Sequence, residues 1–81
     1  MPVVFRYRGY RFFFYSNEGE PREPLHIHVR KGEATAKFQL EPEAALAEAY
    51  AMSPRELHEL LDVAIENKKT IERYWYAHVG E

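Results

Sequence analysis

Along the first forty residues apolar and polar side chains alternate. Val3 to Tyr7 and Tyr10 to Tyr15 are rich in β-branched and aromatic residues, and Arg8-Gly9 between them offers the positive φ that a tight hairpin turn requires. Leu25 to Arg30 and Glu33 to Leu40 alternate in the same way around Lys31-Gly32. The pattern predicts two β-hairpins. A period of two puts Val3, Phe5 and Tyr7, then Tyr10, Phe12 and Phe14, then Leu25, Ile27 and Val29, then Ala34, Ala36, Phe38 and Leu40 on one face, the core face. Between the hairpins, Ser16 to Pro24 holds almost no apolar side chain, one Gly and two Pro. That composition predicts a long exposed loop, of a length that often carries function.

From Pro42 the character shifts to Ala, Glu and Leu, which predicts a short helix over Glu43 to Tyr50 with Leu46 and Tyr50 on one side. Ser53-Pro54-Arg55-Glu56 is a helix start: Ser caps free amides, Pro suits the first turn, and Glu completes a capping box. Leu57, Leu60, Leu61, Ala64, Ile65, Ile71 and Trp75 follow as one apolar stripe running to about His78, before Gly80. A helix of about 25 residues would span roughly 37 Å and cross the whole sheet. The expected fold is α+β: an antiparallel sheet of about four strands, with a short helix and a long C-terminal helix packed on one face. No internal repeat or linker interrupts residues 1–81, so a single domain is expected.

Composition narrows the chemistry. A chain of 81 residues buries only somewhat more than ~60% of its unfolded surface, which argues against a deep enclosed active site. Five Phe, six Tyr and one Trp let a core be built from few positions. The absence of Cys excludes disulfides, thiolate zinc sites and cysteine nucleophiles, and fits a reducing compartment. The N-terminus has no secretory pattern, and no apolar run approaches the ~20 residues of a membrane span. A cytoplasmic protein away from the membrane is expected. The net charge of −2 is divided unevenly: residues 1–40 carry seven Lys/Arg against four Glu (+3), residues 41–81 four against nine acids (−5). Such asymmetry steers an anionic partner to one face, within a screening length of ~8–10 Å.

The face of the sheet opposite the core carries Val4, Arg6, Arg8, Arg11, Phe13, Tyr15, His26, His28, Arg30, Thr35, Lys37 and Gln39. Three uses compete for it: a solvated face stabilised by cross-strand pairs, a single-stranded nucleic-acid surface with cations on phosphates and rings on bases, or a patch for a partner protein or a second copy of the chain.

Within this face His26 and His28 stand two residues apart in a strand, about 6.6 Å along it and pointing the same way. Two such imidazoles can hold one divalent metal, Zn or Mn, with Glu18, Glu20 or Glu23 of the adjoining loop as carboxylate ligand, and a metal so held would activate water. Without a metal, one imidazole could serve as base and the other as acid in cleaving a phosphodiester, with Arg30 or Arg6 stabilising the developing charge. In the remaining reading both histidines bond the preceding loop and fix its shape. His58 lies opposite the apolar stripe and is expected in solvent, and His78 in the last helical turn, where a cation is favoured. There is no phosphate-cradling Gly-rich loop and no nucleophile elbow.

Taken in order, Phe14-Tyr15-Ser16-Asn17-Glu18-Gly19, Glu23-Pro24-Leu25-His26-Ile27-His28-Val29-Arg30-Lys31-Gly32, Ala36-Lys37-Phe38-Gln39-Leu40, Ser53-Pro54-Arg55-Glu56-Leu57 and the late aromatic Trp75 resemble a prokaryotic family, domain of unknown function 4160. The resemblance covers nearly the whole chain. Its most specific segment is Pro24-Leu25-His26-Ile27-His28; where family members commonly show Pro-Pro before the histidines, this chain departs with Arg22-Glu23-Pro24-Leu25. The resemblance implies a small bacterial protein often encoded beside another small domain, a pairing of the toxin–antitoxin kind, and a site at His26 and His28. It implies no reaction.

Together these features lead to the expectation of a protein-interaction module that binds a small cognate protein encoded nearby, through the sheet face and the 16–25 loop. A metal- or histidine-dependent hydrolase or nuclease acting on RNA, with His26, His28 and Arg30 as its chemical groups, is the alternative, and a plain nucleic-acid binder is the third. A homodimer is compatible with each.

Overall fold

A computed structural model describes residues 3–15 and 24–79. Five strands, β1 (Val3–Tyr7), β2 (Tyr10–Phe13), β3 (His26–Lys31), β4 (Ala34–Gln39) and β5 (Ala45–Tyr50), precede two helices, α1 (Pro54–Glu66) and α2 (Lys68–Val79). The strands form one antiparallel meander in the order β1-β2-β3-β4-β5. Both predicted hairpins are present. At the first turn Arg8 and Gly9 both take positive φ, 49° and 85°, the left-handed pair that matches strand twist.

The core face is the one the alternation predicts. Phe12, Phe14, Ile27, Val29 and Phe38 are fully buried, and Leu60, Val63, Ala64, Ile71 and Trp75 of the two helices cover them. Rings supply much of the contact: Phe5 stacks on Phe12 at 4.4 Å between centroids, and Phe14 meets the edge of Trp75 at 5.2 Å.

Three expectations are corrected. Residues 45–50 are a strand, not part of a short helix over Glu43 to Tyr50, and the sheet has five strands rather than about four. Ala, Leu and Glu favour helix intrinsically, but the outer edge of β4 offers a ladder of backbone partners, interrupted by one irregularity at Ala47, and pairing overrides propensity. The apolar stripe is carried by two helices, not one long one. At Asn67 the backbone leaves helical geometry (φ −107°, ψ 19°), and the side-chain Nδ2 donates to the Val63 carbonyl at 2.8 Å. An Asn that competes in this way for backbone partners ends a helix. In β1, finally, Val3 pairs with Phe13 but Phe5 with Phe12. Val4 is thus the extra residue of a β-bulge, and it turns into the core while Val3 is left 37% exposed.

The predicted capping box forms and does more than start α1. Ser53 Oγ accepts from the Glu56 amide at 3.1 Å, and Glu56 Oε1 accepts from the Ser53 amide at 3.0 Å. The other carboxylate oxygen, Oε2, accepts from the Tyr10 hydroxyl of β2. One turn on, Glu59 accepts from the Tyr7 hydroxyl and lies 3.4 Å from Arg8 Nη1. These bonds fasten the turn end of the first hairpin to α1 and draw Arg8 away from the open face, where it was expected. Among the described residues, no helix is long and apolar enough to cross a membrane.

The hydrogen bond to the Glu56 carboxylate, with burial second, pushes the Tyr10 phenol up from 10.0 to about 12. The same bond, followed by those from Ser53, holds Glu56 below its ordinary value. Because the Tyr10 value is raised on folding, its stabilising contribution is whole below pH 10 and fades as pH climbs through about 12. Glu56, lowered on folding, contributes above its unfolded value and loses that contribution as pH falls through the folded one. Alkaline absorbance titration of the folded protein should therefore show one tyrosine ionising near pH 12. That step should vanish in Tyr10→Phe and move back toward the ordinary value in Glu56→Gln.

Candidate functional site

His26 and His28 open β3 and project to the open side of the sheet, as a period of two requires, but their surroundings differ. His26 is buried at 6% exposure, whereas His28 is half-buried. The His26 Nδ1 lies 3.0 Å from the Pro24 carbonyl oxygen. A carbonyl only accepts, so in this bond Nδ1 is the donor. The His26 ring also meets Trp75 edge-on at 5.1 Å and His28 at 5.3 Å. His28 in turn contacts Tyr15 at 4.5 Å and stacks on Phe13 at 5.7 Å. A continuous run of rings thus leads from the core, at Phe14 and Trp75, around the end of the sheet to its open face.

The expected bond between the histidines and the preceding segment is present at His26. Its burial against Trp75 was not legible, because the helical stripe assigns Trp75 to the core without saying which strand end it closes. Phe13, expected as an exposed ring, is 3% exposed beneath Tyr15 and His28. Tyr15 is 38% exposed. Glu18, Glu20 and Glu23, the candidate metal ligands of the loop, lie outside the described residues, as does most of the 16–25 loop. Among the described residues no three His, Cys, Asp or Glu side chains cluster as a metal site. A ring nitrogen bonded to a backbone carbonyl, as Nδ1 of His26 is, is a common way of orienting a histidine that ligates a metal through its other nitrogen.

Arg30 follows His28 on the same face of β3. Register places it directly across from Arg11 of β2, which is itself across from Arg6 of β1. Its Nε donates to the Gly32 carbonyl of the β3–β4 turn at 3.1 Å. The neighbouring row reads Val3, Phe13, His28, Lys37 and Glu48 from β1 to β5.

A second region was not foreseen from the sequence. β5 ends the sheet, and all six of its residues are exposed. Beside it a nearly wholly apolar groove runs between the strand and α1, lined by Phe38, Leu46, Pro54, Leu57, His58 and Leu61. His58 stands in solvent at its rim, 3.6 Å from Asp62. The signal that could have revealed β5 is the alternation of small and large side chains in Ala45-Leu46-Ala47-Glu48-Ala49-Tyr50.

Residues 9–76 match the family described as Domain of unknown function (DUF4160). The chain belongs to that family. The match begins at the first hairpin turn and ends one residue beyond Trp75, so the histidine strand, the arginines at positions 11 and 30, β5, all of α1 and most of α2 lie within the DUF4160 domain. Neither the curated proteins nor the solved structures contain a match to this chain.

Burial and the carbonyl contact make His26 structural whatever its further role. His26→Ala should cost about 1–3 kcal/mol in urea unfolding, since it strands the Pro24 carbonyl and leaves a gap against Trp75. His28→Ala, at a half-exposed position, should cost clearly less; equal losses would contradict the difference in environment.

Proposed function

We propose that this DUF4160 protein is a cytoplasmic protein-interaction module, one member of a gene pair of the toxin–antitoxin kind, whose partner docks by extending the sheet at β5. The observation that carries the reading is the β5 edge itself. An edge strand exposes a row of backbone donors and acceptors, and proteins that must avoid pairing there place Lys or Pro on it, cover it or kink it with bulges; β5 has one such irregularity, against Lys37 and Phe38 of β4. Residues 45–50 contain neither Lys nor Pro, and one carboxylate, Glu48, is their whole charge. The apolar groove alongside supplies a socket for a side chain of an added strand, the usual division of labour in strand addition: backbone bonds for affinity, pockets for specificity.

Charge specifies the partner further. The half of the chain that contains β5 and α1 carries four Lys/Arg against nine acids, with Glu48 on β5 and Asp62 beside His58 at the groove rim. The occupant this favours is an extended, basic segment with an apolar anchor, supplied by the protein encoded next door. The gene pairing itself is what the family resemblance implies.

Co-expression of the native pair with a tag on this chain should retain the partner through purification. Leu46→Lys, which puts a cation into the groove at a position already 46% exposed, should weaken the complex by about 2 kcal/mol or more, roughly thirtyfold, with the thermal midpoint of the free protein unchanged. A chain that stays alone at micromolar concentration beside its neighbour's product would remove the proposal.

A hydrolase acting on RNA, using a metal or the histidines themselves, is the second reading. The anchoring of His26 Nδ1 on the Pro24 carbonyl and the proximity of the two rings favour it. It requires RNA cleavage by the purified protein that His26→Ala/His28→Ala abolishes.

A further inference from the structure

Three guanidinium groups occupy consecutive positions of one cross-strand row, Arg6 opposite Arg11 and Arg11 opposite Arg30. Like charges directly opposite one another destabilise a sheet, and among the described residues no carboxylate lies within ion-pair distance of any of the three. Arg6 and Arg11 are exposed, and Arg30 is anchored to the Gly32 carbonyl. The row continues to Thr35 and Tyr50, so the sheet itself brings no counter-charge to it. A local rule broken at two successive cross-strand pairs on a solvent face, with no carboxylate to compensate among the described residues, marks a place where the missing counter-charge comes from a ligand.

A second feature says what kind of anion. Two residues along β2 and β3, roughly 7 Å away at about 3.4 Å per residue, the cation has a ring beside it: Arg11 is followed by Phe13 and, just past the strand, Tyr15, and Arg30 is preceded by His28. Tyr15 and His28 are the accessible members of this ring row, packed together at 4.5 Å, and Phe13 forms its floor. A cation row and a ring row lying side by side match a polymer whose charges and planar groups are held at a similar separation. Single-stranded nucleic acid has that build, phosphates along one side and unpaired bases along the other, whereas an acidic peptide has no planar groups to set against the rings and a duplex keeps its bases stacked inside.

We propose that the open face of the sheet binds single-stranded RNA, with phosphates on the Arg6–Arg11–Arg30 row and bases on Tyr15 and His28. This surface is separate from the β5 groove, so loss of either proposal leaves the other standing.

The test is fluorescence anisotropy of an end-labelled, single-stranded oligoribonucleotide of mixed sequence, measured against the full chain over a range of salt. Binding should weaken with a log–log salt slope of about −2, from three phosphate contacts at ~0.7 each. Replacing any one of the three arginines by Ala should make the slope shallower by about 0.7. Tyr15→Ala should lower affinity about tenfold with the slope unchanged, the mark of lost stacking. The triple Arg→Ala variant should lose binding while keeping or raising its thermal midpoint, because like-charge repulsion is relieved; a folded triple variant that still binds overturns the proposal. So does absence of binding at low salt, equal or tighter binding of a duplex, or displacement of the RNA by polyglutamate at equal charge, which would make the occupant an acidic protein.

Discussion

A five-stranded sheet of short strands is not stable with both faces in water, and everything else in this protein follows from how one face is covered. The covering is done from two ends. At the turn end of the first hairpin, Glu56 links the start of α1 to β2 by accepting from Ser53 with one oxygen and from Tyr10 with the other. At the opposite end, Trp75 of α2 closes over Phe14 and reaches His26. Between these two attachments the helices lay Leu60, Val63, Ala64 and Ile71 onto Phe12, Ile27, Val29 and Phe38. Beyond the change of backbone geometry at Asn67, α2 carries Trp75 to the strand end where the histidines begin.

That arrangement explains why the two faces differ so much in chemistry. The core face needs apolar side chains at every other position and obtains them from strands that are short and aromatic-rich. The intervening positions are released from packing, and they hold the arginine row, Lys37 and the accessible rings. His26 belongs to both worlds: its strand position turns it outward, yet Trp75 curls round the sheet end to bury it. A substitution at Trp75 would therefore disturb the site as well as the core.

Much of this was legible in the residues. Alternation over 3–40 located both hairpins and the core face, and Ser53-Pro54-Arg55-Glu56 located the start of α1, because each signal is local and has few competing explanations. What was missed depended on distant partners. Ala45 to Tyr50 is helix by propensity and strand by neighbourhood, since only the free edge of β4 decides between them. The bulge that exchanges Val3 for Val4 arises from pairing with Phe13 and Phe12, which composition does not encode. At the candidate site the spacing of His26 and His28 was readable, but the stacking of three arginines across three strands required the register, and the burial of His26 required knowing where α2 ends its path.

The meander order has one more consequence. Every strand pairs with its neighbour in the chain, so the sheet can assemble by closing short loops in sequence, at a low entropic cost for each. The contact of Trp75 with Phe14 joins segments separated by most of the chain. With the contacts of α2 on β1, its loop is among the longest to close, which puts it among the late steps of folding, and the histidine end of the sheet takes its final shape only when the last helix arrives.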